Sequence, residues 1–431
     1  MNREILRIAI PSIITNITIP LLGIIDLSIV GHIDSADGGA LAIGAISVGG
    51  LIFNMIYWLF AFLRMGSSGL TAQRFGREDG AGERRVLRMA LTVAVVCGVG
   101  IFALQWPIEW LAHIIIAPTD EVWALAITYF HIRIWAAPAV LSLFALNGWF
   151  VGMQNSRFPM YIAIGQNLLN IVVSALLVFQ FGLGVRGVAL GTVISQYCGL
   201  AVALFLVRRI HLHPADGTID TARELSLADF FRVNRDIFLR MICIIAVTTA
   251  FTSFGARQGD MLLAVNTLLI QLFILFSYFC DGFALSGEAL VGKYVGAKSH
   301  ERKMMCVRRL FGWASGVTLL FTTIYFFAAN GILRLLTDDT SVIDAAQPYL
   351  PWTLAIPLAG FATFMWDGIF IGATATRQML YTLAVAAAVF FVLWFWSMAL
   401  PTNHHLWLAF VVYLVVRSVV QTAMAQKVLR G

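Results

Sequence analysis

The sequence predicts an all-α membrane protein with twelve transmembrane helices in two six-helix lobes, related by a parallel pseudo-two-fold repeat around a central cleft. Composition, the spacing of apolar runs and an internal repeat predict it. Of 431 residues, 60% are hydrophobic and 12% charged, with a mean hydropathy of +0.84, whereas a soluble globular chain carries about 25% charged residues. The deficit extends along the whole length, which excludes soluble enzymes and DNA-binding proteins. At about 20 to 25 residues per crossing, twelve crossings leave short loops and no sizeable aqueous domain.

Apolar runs lie near 8–30, 40–70, 89–112, 121–150, 160–180 and 187–207, then 237–255, 260–291, 309–330, 341–371, 379–399 and 406–426. The first follows Asn2, Arg3, Glu4 and Arg7 and continues to Val30 without a small-residue cleavage site, so it reads as a retained span rather than a signal peptide. One long polar segment, from Arg208 to Asp236, separates six spans from six. The domain reading is therefore an N-terminal lobe 1–207, a cytoplasmic linker 208–236 and a C-terminal lobe 237–431.

An even number of spans puts both termini on one side, and Lys and Arg mark the cytoplasmic side. With the termini inside, the 29 basic residues fall in inner segments except for Arg186, Arg257 and Arg334 in outer loops and Arg64, Arg133 and Arg417 within spans. The net charge of +6 is thus a topology signal and not a nucleic-acid footprint. The cysteines Cys97, Cys198, Cys243, Cys280 and Cys306 stand singly, without disulfide or zinc spacing.

Sliding the chain by 220 residues aligns its halves without gaps in two separate regions. Leu70, Gly76 and Arg88 fall on Leu290, Gly296 and Arg308, and Gly148, Phe150, Gly152, Arg157 and Tyr161 fall on Gly368, Phe370, Gly372, Arg377 and Tyr381. Six spans per repeat give both lobes the same orientation, so the axis lies along the membrane normal. Two such lobes facing one another supply the cleft that alternating access requires.

An ionisable side chain in a span costs about 2.5 to 3.5 kcal/mol on insertion scales, so each is a functional candidate. Asp26 lies deep in the first span, Asp281 and Glu288 share a face of the eighth, and Asp367 lies in the tenth. Under the repeat Asp26 falls on Ala246, so the fold itself does not need the carboxylate there. Asp367 falls on Asn147, and both can accept hydrogen bonds from the opposite lobe. Asp281 and Glu288 read either as a second coupling site or as partners of Arg417 and caps of a broken helix. Because desolvation disfavours the charged form of a carboxylate, a buried one can hold a proton in one conformation and release it in another. Sodium or a cationic ligand competes for the same charge.

Span five carries Gln166 and a stripe of Asn167, Asn170 and Ser174, which either lines a wet cavity or bonds a neighbouring helix. Pro11, Pro20, Pro138 and Pro357 lie in or near spans and are hinge candidates. The GxGxxG match at Gly182, Gly184 and Gly187 joins two spans and reads as a turn. No nucleophile elbow, Walker loop or zinc-protease helix occurs, so no enzyme is expected.

The stretch GDMLLAVNTLLIQLFILFSYFCDGFALSGEALVGKYVGAK, the VNRDIFLR entry to span seven and WDGIFIGATATR at the end of span ten resemble the DinF-like branch of the multidrug and toxic compound extrusion (MATE) transporters. Pro11 and Asp26 stand at the spacing of that family's first-span proline and aspartate. The resemblance covers essentially the whole chain. It implies cation-coupled export of small organic, often cationic and amphipathic, compounds, with Asp26 in the place of the coupling aspartate and Asn170 in that of the fifth-span asparagine. Relatives often carry an acid four residues after that asparagine, where this chain has Ser174. The departure tilts the coupling ion from sodium toward the proton. The alternative is a lipid-linked precursor flippase of the same architecture, which would need a basic patch where the cleft spans carry more acids than bases. The partners expected are a small organic substrate and the lipid bilayer, with no cofactor, metal or nucleic acid, for a multi-pass monomer of the inner (cytoplasmic) membrane.

Overall fold

The computed structural model describes residues 1–31, 38–116, 119–210, 227–396 and 402–430. Among these residues the regular elements are helices, and twelve are long and apolar enough to cross a membrane. The spans run Asn2–Gly31, Gly39–Gly76, Gly80–Ala103, Asp120–Gly152, Arg157–Gln180, Gly184–Val207, Ala228–Ala256, Asp260–Gly296, His300–Leu336, Thr340–Gly372, Thr376–Trp396 and Asn403–Leu429. Each overlaps one of the twelve apolar runs.

Three departures from the sequence reading concern local structure. The third span stops at Ala103, and a separate helix, Gln105–Ile116, follows with Trp106, Trp110, Leu111, Ile114 and Ile115 exposed. Pro107 is the reason: in a continued helix its ring would collide with the Ala103 carbonyl four residues back. The segment expected as linker is helical from Leu227 onward, and residues 211–226 lie outside those described. The fourth span is interrupted by one 3-10 turn at Ile134–Ala136, after which Pro138 sits at the start of Ala137–Gly152, where its missing N–H costs nothing.

The chain divides into two compact units, Ile14–Phe230 and Met1–Ile13 with Phe231–Gly431. The first thirteen residues therefore pack with the second half, not with the lobe 1–207 to which the sequence reading gave them. There Ser286 Oγ donates to the Ile5 carbonyl at 2.9 Å, and Gly282 leaves room for Ala9 and Ile13. In the unit Ile14–Phe230, Trp149 and Phe150 anchor a core with Leu143, Leu146 and Ile162, and Trp149 Nε1 donates to the Glu83 carbonyl at 3.0 Å. In the other unit, Asn266 and Asn403 exchange side-chain hydrogen bonds at 2.8 and 2.9 Å while Trp407 Nε1 donates to Asn266 Oδ1 at 2.8 Å.

The 220-residue repeat is written into the packing. A Cβ on Gly148 would collide with the Arg64 backbone, and one on Gly368 would collide with the backbone of Ala284, the repeat partner of Arg64. Gly152 meets the backbone of Ser68 and Ala72, and Gly372 that of Glu288 and Gly292, again at the same offset. Glycine at these positions lets helix backbones touch. Among the described residues, the four non-glycine residues with left-handed φ are two repeat pairs, Glu78 (58°) with Lys298 (53°) and Gln154 (62°) with Thr374 (54°). Gly182 and Gly184, at φ of 63° and 52°, confirm the GxGxxG match as a turn.

Candidate ion-coupling site

Asp26 lies on the first span, 9% exposed, within the unit Ile14–Phe230. An ionised carboxylate can only accept hydrogen bonds, so the Asn170 amide is oriented with its nitrogen toward it. Nδ2 then donates to Asp26 Oδ1 at 3.0 Å, while Asn170 Oδ1 faces the Thr192 N–H and hydroxyl at 3.2 and 3.1 Å. Asn170 and Ser174 are 1% and 0% exposed, and the absence of a side chain at Gly191 makes room for Ser174. Asn167 Nδ2 donates to the Thr18 carbonyl at 3.1 Å, and Gln166 Nε2 to Gln196 Oε1 at 3.0 Å. The stripe on span five thus bonds spans one and six.

A cation stands within electrostatic range of Asp26 without forming an ion pair with it: Arg133, on the fourth span. Its Nη1 donates to the Tyr129 hydroxyl at 2.6 Å, one helical turn earlier, and its guanidinium lies 4.9 Å from the Phe53 ring centroid and 5.4 Å from that of Tyr129. Phe53 stacks on Tyr57 and Phe130 at 5.6 and 5.3 Å.

Asp367 has different surroundings. Its Oδ2 accepts from Nη2 of both Arg240 and Arg417, and its Oδ1 accepts from Gln421 Nε2 at 2.7 Å. These donors come from spans seven and twelve of its own unit, which corrects the expectation that Asp367 bonds the opposite lobe. Arg240, counted with the inner loops, is buried within span seven. With two guanidinium groups and an amide committed to one carboxylate, the cluster clamps three helices together.

The eighth span runs unbroken from Asp260 to Gly296, so Asp281 and Glu288 cap no broken helix. Arg417 takes Asp367 as its ion-pair partner and feels Asp281 only electrostatically. Glu288 is buried where its backbone meets Gly372. Asn147, at the repeat position of Asp367, has a buried side-chain oxygen without a hydrogen-bond partner among the described residues. The helices continue through Pro11, Pro20 and Pro357, while Pro138 follows the 3-10 interruption. Tyr129, Thr192, Arg240 and Gln421 are contributors the sequence reading missed. Tyr129 with Arg133 and Arg417 with Gln421 were visible as pairs four residues apart, hence on shared helix faces; Arg240 carried no signal beyond a basic residue near a loop.

The MatE family model matches residues 11–176 and 237–396, one stretch in each half. DNA damage-inducible protein F of Escherichia coli is 36% identical over 418 residues, 96% of this chain and 90% of that protein. Probable multidrug resistance protein NorM of Thermotoga maritima is 22% identical over 80% of this chain and 75% of its own length. Among solved structures, a multidrug resistance MATE family transporter in an outward-facing conformation matches with a TM-score of 0.86 and 20% identity, over 99% of this chain and 95% of that one. That likeness speaks for the fold, while the family model and the Escherichia coli relative establish kinship. The chain belongs to the MatE family, a family of membrane transporters rather than enzymes.

Proposed function

We propose that this protein is an antiporter that exports small organic, cationic or amphipathic compounds across the cytoplasmic membrane by alternating access, coupled to inward movement of protons rather than sodium. The observation that carries the reading is Asp26, a span carboxylate bonded by one amide in a cluster of polar side chains. Proton binding and compound binding then exclude one another at Asp26, so each inward proton licenses one outward passage. A membrane potential of 100 mV adds about 2.3 kcal/mol per net charge moved inward, so it helps drive export of an uncharged compound and cancels when one proton is exchanged for one singly charged cation. The name of one relative, probable multidrug resistance protein NorM, supports export. It lends nothing to the flippase alternative. The basic-residue distribution supports cytoplasmic termini, and a site drawn from one unit of one chain supports a monomer.

The test is dye efflux from vesicles holding the purified protein, with proton and sodium gradients imposed separately. A pH gradient drives efflux by the wild type and not by Asp26→Asn, and a sodium gradient drives neither. Efflux by Asp26→Asn equal to the wild type overturns the role of Asp26, and efflux driven by sodium alone overturns the choice of ion.

A further inference from the structure

We propose that the exposed face of span nine, where Arg308 and Arg309 flank an open glycine notch, is a binding site for an anionic phospholipid. Its phosphate sits between the two guanidinium groups and an acyl chain lies along Gly312 and Gly316. The site is independent of the reading of Asp26.

Charge sets its depth. Span nine is one helix from His300 to Leu336, and residues 310–333, between Arg309 and Arg334, carry no charge. At 1.5 Å per residue that stretch is about 36 Å long, enough to cross a hydrocarbon core of about 30 Å with a modest tilt. Arg308 and Arg309 are therefore the last charges before the hydrocarbon, at the level of the lipid phosphates. Both are exposed, and among the described residues neither guanidinium makes an ion pair or hydrogen bond within the protein.

The surface there is concave. Glu301, Met304, Met305, Arg308 and Arg309 line a depression of about 570 Å³, within the range of about 300 to 1,000 Å³ usual for small-ligand sites. Residues three and four apart share a helix face, so the stripe from Met305 passes between the arginines to Gly312, Gly316 and the exposed Leu319 and Leu320. A Cβ on either glycine would meet nothing within 4 Å. Beside the notch, Phe311 turns to Phe361 and Trp366, and Trp313 stacks on Phe283. Glu301 lies about two turns nearer the water, which leaves the phosphate seat to the arginines. Guanidinium groups grip phosphate oxygens in pairs of charge-assisted hydrogen bonds, and basic recesses at the ends of spans suit anionic headgroups.

The repeat separates this site from a mere topology signal. At the 220-residue offset Met304, Met305, Arg308 and Arg309 fall on Arg84, Arg85, Arg88 and Met89, and Gly312 and Gly316 fall on Thr92 and Val96. Both halves carry cations at this depth. In the first half, however, Met89 is buried where Arg309 is exposed, Arg84 Nε donates to the Gly80 carbonyl at 3.2 Å, and side chains stand where the notch would be.

The test is the melting temperature of the purified protein in neutral detergent with dioleoyl phosphatidylglycerol or dioleoyl phosphatidylcholine added at equal mole fraction, since a ligand of the folded state stabilises it. Phosphatidylglycerol raises the wild-type value several degrees more than phosphatidylcholine does. Arg308→Gln with Arg309→Gln loses at least two thirds of that difference, and so does Gly316→Leu, which keeps both charges and fills the notch. Arg84→Gln with Arg88→Gln, which removes as much charge from the first half, keeps it, and inorganic phosphate at the same concentration produces no shift. A lipid difference that survives in the Arg308 and Arg309 double variant or in Gly316→Leu overturns the proposal. So does an equal loss in the Arg84 and Arg88 double variant, or a shift with phosphate as large as that with the lipid. The wild type alone supplies a further check: on delipidation it retains phosphatidylglycerol over phosphatidylcholine in native mass spectra, and equal retention of the two overturns the proposal whether or not the variants fold.

Discussion

Two aspartates inside spans, Asp26 and Asp367, look alike in the sequence and differ in every neighbour. Asp26 accepts from one amide, while Asp367 accepts from two guanidinium groups and an amide. Removing one partner of a buried ion pair costs about 3 to 5 kcal/mol, because the remaining charge is stranded. Asp367→Asn, which strands two arginines, is accordingly expected to lower the melting temperature and the folded yield in detergent, whereas Asp26→Asn leaves both close to wild type. Equal melting temperatures for Asp367→Asn and wild type would show that the clamp is not structural. Asp26 was legible because a lone acid in an apolar run stands out, although a structural partnership with Arg64 or with a backbone group near Pro20 was the plainer reading of it. The partners of Asp367 were not, because contacts between spans seven, ten and twelve are set by tertiary packing, to which a linear reading of charges is blind. Arg240 shows the difficulty, since its place near a polar segment made it look like one more inner-loop cation.

At the scale of single helices, length and apolar composition located all twelve spans, while local breaks escaped wherever one residue outweighed the hydropathy. Pro107 ended the third span nine residues early in just this way, since hydropathy registers its apolar neighbours and ignores the lost N–H. The glycines separate packing from mere helix flexibility. Gly148 and Gly368 press against the backbones of Arg64 and Ala284, whereas Gly165 and Gly312 have nothing within 4 Å of an added Cβ. Gly148→Ala and Gly368→Ala are each expected to cost about 1 to 3 kcal/mol through forced separation of helices. Gly165→Ala and Gly312→Ala should be neutral or stabilising by up to about 1 kcal/mol. Melting temperatures of the four variants check this, and equal effects at all four positions would contradict the close-approach argument.

For the molecule as a whole, the offset of 220 residues was the most informative feature of the sequence. It returned in the structure as repeat-paired glycine contacts and repeat-paired left-handed residues. Its precision comes from short loops between long helices, which leave little room for insertions. The repeat did not reveal that Met1–Ile13 packs with the second half, because a helix shared by two units has no marker at the crossover. Sidedness can be checked with a membrane-impermeant thiol reagent on intact cells, in a variant lacking the five native cysteines. Asp338→Cys, in the outer loop after span nine, is expected to react, and Ala297→Cys, in the inner loop after span eight, to stay protected; the reverse would invert the topology. The central claim is that compound and proton exclude one another at Asp26. Its most direct measurement is proton release from detergent-purified protein in weakly buffered solution on addition of a transported dye. The account predicts release from the wild type and none from Asp26→Asn, and equal release from both would contradict it.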